Sequence, residues 1–168
     1  MEMELRRLQP DTVTATQLAE LTAVMLAAPR YSLCVTGRLP LASDTTELLQ
    51  ELPPGYSYAD KYTFGIYYAG LMIGCADILK GWKHERQSML GLLLLAEHAQ
   101  GQGFGRQAYR LLERHICSWP NMASVRIGVI NTNTDAIAFW RKIGFVKTGE
   151  TSSIEGHIGP TLIFEKPL

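Results

Sequence analysis

Hydrophobic positions along the chain follow two spacings, and the change between them separates helices from strands. Apolar residues three or four positions apart predict helices over residues 14–28, 44–51, 106–116 and 133–143. Alternating or continuous apolar runs predict strands over residues 4–8, 61–68, 71–79, 89–96, 125–130, 145–148 and 161–164. The resulting order is one strand, two helices, three antiparallel strands, a helix, a strand, a helix and two strands.

Breakers and caps set the predicted boundaries. Pro29 is expected to stop the first helix, which leaves residues 31–43 irregular. Asp44 and Asn133 are expected to cap the helices that begin near them, and Gly144 to end the last one. Tyr109 lies off the apolar stripe of its helix and is predicted to be a surface residue.

This element order predicts an α/β fold in one domain over residues 1–168. The sheet is expected to be mixed but mostly antiparallel, with about seven strands flanked by four helices on both faces. Hydrophobic residues make up 46% of the chain, enough for a substantial core. We find no repeat, low-complexity tract or linker.

Charge and cysteine content narrow the class of protein. Sixteen basic and sixteen acidic residues balance, which argues against a nucleic-acid or membrane-surface partner. The first residues do not resemble a signal peptide, and no apolar run approaches the roughly twenty residues of a membrane span. Three separated cysteines are expected to be reduced and buried, as in a cytoplasmic protein. Four histidines without metal-ligand spacing predict no metal site.

The segment at residues 100–105, Gln-Gly-Gln-Gly-Phe-Gly, carries the strongest functional signal. It lies between an apolar strand and a helix, where backbone N–H groups are left unpaired at the positive end of the helix dipole. Such a corner binds phosphate without a lysine. The dinucleotide fingerprint fails because Arg106 stands where it needs glycine, and no P-loop sequence exists in the chain. A glycine-rich turn that binds nothing is the alternative.

Two blocks of sequence resemble the GNAT superfamily of acyl-CoA-dependent N-acyltransferases. The first is the segment at 100–105, which fits the pattern Gln/Arg-x-x-Gly-x-Gly/Ala. The second resembles the family's Asn-x-x-Ala-x-x-Phe-Tyr-x-Lys-x-Gly-Phe block and consists of Asn133, Ala136, Phe139, Trp140, Lys142, Gly144 and Phe145. The match is specific over residues 89–145 and follows only the element order elsewhere.

The resemblance implies a site for acetyl-CoA as co-substrate. The diphosphate would lie on the turn, whose glycines would let the ligand approach the main chain. The pantetheine arm would insert between two splayed strands, and a main-chain N–H near Leu93 or Leu94 would polarise the thioester carbonyl for attack by an amine. The residues implied in cofactor binding are Leu93, Leu94, Leu95, Gln100, Gly101, Gln102, Gly103, Phe104, Gly105, Arg106, Asn133 and Trp140.

Departures from the family pattern leave the catalytic acid and base unassigned. Trp140 stands where relatives often carry a tyrosine that protonates the thiolate, so it packs either against the cofactor or in the core. Candidates for a base are Asp77, which is otherwise a solvated carboxylate, and Glu97, which replaces a frequent proline. Tyr31 is a candidate for a residue that covers the acceptor pocket. Water could also take the proton from the amine.

The expected activity is transfer of an acetyl group to a primary amine of a small molecule or a protein. Residues 82–86, Trp-Lys-His-Glu-Arg, form a loop with an aromatic residue and mixed charge that suits a small amine or a peptide end, although a tryptophan there also packs on its neighbours. The alternative function is a coenzyme-A-binding regulatory module without chemistry. A homodimer paired through the last strand is a further expectation.

Overall fold

A computed structural model describes all 168 residues. A single seven-stranded sheet runs through the chain, in the order β1-β2-β3-β4-β5-β7-β6. Only β4 and β5 pair in parallel, and every other neighbouring pair is antiparallel. The strands are Met3–Leu8 (β1), Lys61–Tyr68 (β2), Leu71–Lys80 (β3), Gln87–Leu95 (β4), Ser124–Ile130 (β5), Val146–Ser152 (β6) and Thr161–Pro167 (β7).

Five α-helices accompany the sheet, one more than the sequence predicts. They are Ala15–Leu26 (α1), Pro29–Thr36 (α2), Ser43–Gln50 (α3), Phe104–Cys117 (α4) and Thr134–Ile143 (α5). The unexpected helix is α2, because Pro29 begins a helix instead of stopping one. Proline suits the first helical position, where its missing N–H has no partner to lose. Gly37 then ends α2 with a left-handed φ of 72°.

The core lies on both faces of the sheet. On one face, Leu112 and Ile116 of α4 pack with buried residues such as Ile78 and Val125. On the other face, α1 and α3 cover a smaller cluster of seven buried residues, which are Leu8, Leu21, Val24, Ala28, Leu49, Cys75 and Leu94. The predicted α/β architecture with helices on both faces is confirmed.

Two predicted surface properties are wrong. Tyr109 is only 2% exposed, because the rings of Trp140 in α5 and of Phe145 pack edge-on against its ring. Cys117 is exposed at the end of α4, whereas Cys75 is buried and Cys34 half-buried, and all three thiols are free.

Asp44 lies in the first turn of α3 rather than at its cap, and its carboxylate accepts the Leu41 N–H at 2.8 Å.

The last strand does not offer a dimer edge. β7 lies between β5 and β6 and is paired on both sides, so the expectation that it pairs across a homodimer is wrong. The two edges of the sheet are β1 and β6. No single helix is long and apolar enough to span a membrane; α1 and α2 together meet that criterion, with a 67° bend between them. No group of three His, Cys, Asp or Glu side chains is placed to hold a metal ion.

Candidate functional site

The strands β4 and β5 are joined over only three residues and then part. Residues 87–89 pair with residues 124–126 in parallel register. β4 continues over residues 90–95 and β5 over residues 127–130 without any pairing between them. The structure therefore shows the splay that the family resemblance implies. The gap opens towards the carboxyl ends of both strands and leads to the glycine-rich turn.

The backbone of Leu93 and Leu95 faces this gap. Main-chain groups of a strand point alternately to its two neighbours. The Ala96 N–H donates to the Ile73 carbonyl of β3 at 2.9 Å, so Leu94 also faces β3 and the residues between them face β5. Of the two residues suggested to polarise a thioester, only Leu93 thus has its N–H directed into the gap.

The turn after β4 exposes a row of unpaired N–H groups. Gly101 and Gly103 have left-handed φ angles of 73° and 84°, which glycine adopts without strain. A Cβ atom at either position would meet nothing within 4 Å, so the turn is open. The N–H groups of residues 101–106 donate to no protein acceptor, and the first bond of α4 runs from Gln107 N to Gly103 O at 3.2 Å. Six free donors at a helix N-terminus can hold a diphosphate.

Two glutamines of the same segment support the turn from within. The Gln100 side-chain amide donates to the Leu95 carbonyl at 2.9 Å. The Gln102 amide donates to the His98 carbonyl at 2.8 Å. Arg106 is exposed beside the free N–H groups and adds a positive charge to this corner. The glutamine side chains therefore shape the turn, while its backbone is left free for a ligand.

Gly105 has a role in helix packing. A Cβ atom there would lie 3.2 Å from the Phe139 ring, so its missing side chain allows α4 and α5 to pack closely. The Cβ position of Gly105 points towards the Phe139 ring, and the expected contact of this residue with the ligand stays a prediction. Phe104 is half-buried, with its ring 4.6 Å from the Tyr68 ring.

The residues of the second sequence block are engaged in the fold. Asn133 caps α5, since its side-chain oxygen accepts the Ala136 N–H at 3.2 Å. Trp140 is 8% exposed, and its ring packs edge-on against the rings of Tyr109 and Phe145, with centroids 5.6 and 5.1 Å away. Of the two roles left open for Trp140, the structure supports the core role.

Asp77 is an ion-paired carboxylate rather than a solvated one. Both of its oxygens accept hydrogen bonds from Lys61 Nζ at 2.8 Å, and Thr63 Oγ1 donates to one of them at 2.7 Å. Lys61 and Thr63 also line a cavity of about 330 Å³. This cavity lies at the end of the sheet where β2 and β4 begin. The glycine-rich turn lies at the other end, so the cavity is separate from the gap between β4 and β5. The other lining residues are Leu8, Gln9, Pro10, Asp11, Tyr58 and Ala59.

Glu97 anchors the start of α2. Its carboxylate accepts the Arg30 N–H at 2.9 Å and lies 3.3 Å from Arg30 Nε. The backbone hydrogen bond from Arg30, and then its side chain, lower the pKa of this exposed carboxyl. A carboxylate with a lowered pKa is a poor proton acceptor, so the structure does not favour Glu97 as a general base.

Tyr31 lies on α2. The residue is 36% exposed, yet its hydroxyl is surrounded by protein, and burial raises its pKa to about 12. The nearby thiols of Cys75 and Cys34 contribute to the same shift. A phenol with this pKa stays protonated at neutral pH, so Tyr31 can donate a proton or a hydrogen bond but cannot act as a base.

No sequence motif predicts an ionic network that the structure shows beside the gap. Arg126 is the last residue of β5 that pairs with β4, and it is 7% exposed. Its guanidinium lies 2.9 Å from the carboxylate of Glu165 in β7 and 2.5 Å from that of Glu150 in β6. The hydrogen bond from Arg126 lowers the pKa of Glu150, which is therefore ionised at neutral pH. A buried arginine on a strand of alternating pattern could have suggested such partners, but only the pairing of β5, β7 and β6 brings them together.

A sequence comparison identifies the family. The model of the acetyltransferase (GNAT) family matches residues 33–145, which is about two thirds of the chain. The chain therefore belongs to the GNAT family of acetyltransferases, and its activity is acetyl-CoA-dependent N-acetyl transfer. No curated protein matches the chain in sequence.

Solved structures share the fold over almost the whole chain. An acetyltransferase from Thermus thermophilus is 25% identical, with a TM-score of 0.75 and coverage of 100% of this chain and 98% of that one. The aminoglycoside acetyltransferase AAC(6')-Ib in complex with coenzyme A is 20% identical, with a TM-score of 0.74 and coverage of 99% and 95%. The PaiA N-acetyltransferase from Thermoplasma acidophilum, also with coenzyme A, is 16% identical, with a TM-score of 0.67 and complete coverage of both chains.

Proposed function

We propose that this protein transfers the acetyl group of acetyl-CoA to a primary amine by direct attack of the amine on the thioester. The observation that carries the proposal is the continuity between the unpaired edge of β4 and the row of free N–H groups that follows it. Together they offer hydrogen-bond donors and acceptors to a long, anionic ligand along its whole length.

The free N–H groups of residues 101–106 would hold the diphosphate of the co-substrate. Gly101 and Gly103 leave this backbone accessible, and Arg106 adds a charge-assisted contact. The backbone of Leu93 and the N–H of Leu95 would pair with the amide groups of the pantetheine arm, in the manner of an additional strand, while the Leu95 carbonyl accepts from Gln100. The proposed contacts of Leu94, Gly105, Asn133 and Trp140 are indirect, because each of these residues is engaged in the fold.

Acetyl-CoA supplies an activated acyl group with a thiolate as leaving group. The amine nitrogen forms a bond to the carbonyl carbon, the carbon–sulfur bond breaks, and the sulfur leaves with the bonding electrons while a proton passes from the nitrogen to water. The Leu93 N–H would donate to the carbonyl oxygen, where negative charge develops. Alignment of the amine and the thioester would supply most of the rate increase.

Neither candidate carboxylate is free to act as a base. Asp77 is held by Lys61, and the pKa of Glu97 is lowered. Water therefore takes the proton in this proposal, and Tyr31, which is protonated at neutral pH, would donate a hydrogen bond to the bound acceptor. The acid that meets the thiolate is water as well.

We propose a small-molecule amine as the acceptor. AAC(6')-Ib, which shares the fold, has been crystallised with ribostamycin and coenzyme A, and that pairing supports a polyfunctional amine for this chain too. An end of a peptide is the second acceptor class. We also propose a cytoplasmic protein without a nucleic-acid or membrane partner. A homodimer stays a prediction, and it would use β1 or β6, the edges of the sheet.

Incubation of the purified protein with acetyl-CoA and a panel of amines tests the function. The panel would contain polyamines, amino sugars, aryl-ethylamines and short peptides, with free thiol followed over time. We expect thiol release that depends on at least one amine and the acetylated product in the mass spectrum. Calorimetric binding of acetyl-CoA without amine-dependent thiol release would support the regulatory module instead, and absence of binding would contradict both functions.

A further inference from the structure

Each of the two central strands that part has one exposed residue, and in both strands it is glycine. Gly91 is the only exposed residue of β4, and Gly128 is the only exposed residue of β5. Both strands lie in the interior of the sheet, with strands on either side. Solvent therefore reaches the middle of the sheet at these two positions.

The register places the two glycines opposite each other. Met89 and Arg126 form the last pair between β4 and β5, and each glycine lies two residues further along its strand. Side chains alternate between the two faces of a strand. Ile127 belongs to the core beneath α4, so Gly128 faces the other side of the sheet. Leu92 packs against the cluster on that other side, and the exposed Gly91 directly precedes it.

Local packing shows how much room each glycine leaves. Gly91 is the additional residue of a bulge, because Asp77 pairs with Leu92 and Ile78 pairs with Leu90. A Cβ atom at Gly91 would meet only the Asp77 carbonyl, at an ordinary contact distance of 3.8 Å. A side chain at this position would therefore extend into open space rather than into the core.

Gly128 is more confined on one side. A Cβ atom there would lie 2.7 Å from Thr161 Cγ2 and 3.9 Å from Met89 Cε. Thr161 is buried, and its methyl group therefore borders the Gly128 edge of the opening. The opening thus has a glycine on each of two edges, with the Thr161 methyl group beside Gly128.

The opening lies where the reacting group of the co-substrate would be. A pantetheine arm that follows Leu95 and Leu93 runs towards the point where the strands close. Gly91 lies about 7 Å before that point, two residues at roughly 3.3 Å each. An acceptor must then reach the thioester from the face that the two glycines leave uncovered, because α4 covers the other face.

We propose that Gly91 and Gly128 determine the size of the amine that this protein accepts, an inference that rests on the proposed function. Without a side chain on either edge, the opening admits an amine carried on a branched or ring carbon. A side chain at Gly91 would narrow it to amines on an unbranched carbon, with no change in the contacts of coenzyme A.

Thioether adducts of coenzyme A test the proposal without knowledge of the natural acceptor. Coenzyme A alkylated on sulfur with N-methyl- or N-cyclohexyl-iodoacetamide carries a small or a bulky group where the acceptor would lie. Calorimetry would compare wild type, Gly91→Ala and Gly91→Leu. We expect all three to bind coenzyme A and the methyl adduct within about twofold, and Gly91→Leu to lose at least tenfold in affinity for the cyclohexyl adduct.

A second variant tests the Gly128 edge of the opening. Gly128→Ala collides with the Thr161 methyl group, so the double variant Gly128→Ala/Thr161→Ser adds the Cβ atom without that contact, and Thr161→Ser alone is its control. We expect an affinity for the cyclohexyl adduct between those of wild type and Gly91→Leu. Unchanged affinity for this adduct in Gly91→Leu and in the double variant would overturn the proposal. Failure of wild type to bind coenzyme A would overturn the proposed function together with it.

Discussion

The two sequence blocks that carry the family resemblance behave differently in the structure. Residues 100–103 of the first block are exposed, and the backbone N–H groups of residues 101–106 have no partners. The block at residues 133–145 is closed, since Asn133 caps its own helix and Trp140 is enclosed by aromatic rings. The first block leaves hydrogen-bond donors free for a ligand. The second block packs against α4, the helix that the first block begins.

This difference separates two reasons why a residue belongs to a motif. Gly103 provides a backbone conformation and an open surface, and neither is needed for packing. Gly105, two residues later, is needed because the Phe139 ring lies where its Cβ would be. Substitutions at Gly101 and Gly103 should therefore affect binding, whereas substitutions at Gly105 and in the second block should affect folding.

The largest effect is expected for Trp140→Ala. Removal of a buried tryptophan side chain costs about 3–5 kcal/mol in proteins, through lost burial and the cavity that remains. We expect a loss of this size in the free energy of unfolding from denaturant titration, while Val146→Ala on the exposed strand β6 changes little. A stable Trp140→Ala protein with weakened coenzyme A binding would show that the closed block contacts the ligand.

Gly103→Val should have the next largest effect, on binding. A β-branched residue resists the left-handed φ of 84°, so the row of N–H groups loses its alignment. We expect at least a tenfold loss in calorimetric affinity for coenzyme A. Gly55→Val is the matched control, because Gly55 has a φ of 88° and open surroundings. Equal affinities of the two variants would remove the turn from the binding site.

Asn133→Ala should cost about 1 kcal/mol of stability, the usual contribution of an N-cap side chain. Asn133→Ser retains a capping oxygen and should recover most of this loss. Coenzyme A affinity should stay within about twofold for both variants, as measured by calorimetry. A loss of affinity that serine does not restore would indicate that the asparagine amide touches the ligand.

The smallest effect concerns Glu97 and depends on pH. The pKa of this carboxyl is lowered in the folded protein, so its contribution to stability is complete above the unfolded pKa of about 4.3 and is lost as pH falls through the folded value. Glu97→Gln should therefore lower Tm slightly at pH 7, and the difference from wild type should vanish in strong acid. A difference that grows as the pH falls would contradict the ion pair with Arg30.

Sequence patterns predicted the sheet and four of the five helices because hydrophobic spacing follows burial. α2 was missed because a proline after a helix suggests an end, although Pro29 and Gly37 bracket a helix in the preferred order. Tyr109 was misplaced because periodicity within one helix does not show a second helix packed on its side.

The site was predictable where a local motif sets the backbone, and not where distant strands meet. The glycine-rich turn follows from six adjacent residues. The partners of Asp77, the bridge at Arg126 and the opening between Gly91 and Gly128 depend on strand register, which no short segment encodes. The proposed role of Leu93 rather than Leu94 likewise depends on which neighbour each peptide group faces.

The three residue pairs between β4 and β5 are the only ladder contacts that join the strands β1–β4 to the strands β5–β7. Amide protons of Leu93 and Leu95 should thus exchange with deuterium rapidly in the empty enzyme although they belong to an interior strand. An inserted pantetheine would protect these amide protons from exchange and would connect the two halves of the sheet. Binding of the co-substrate would therefore also stiffen the sheet.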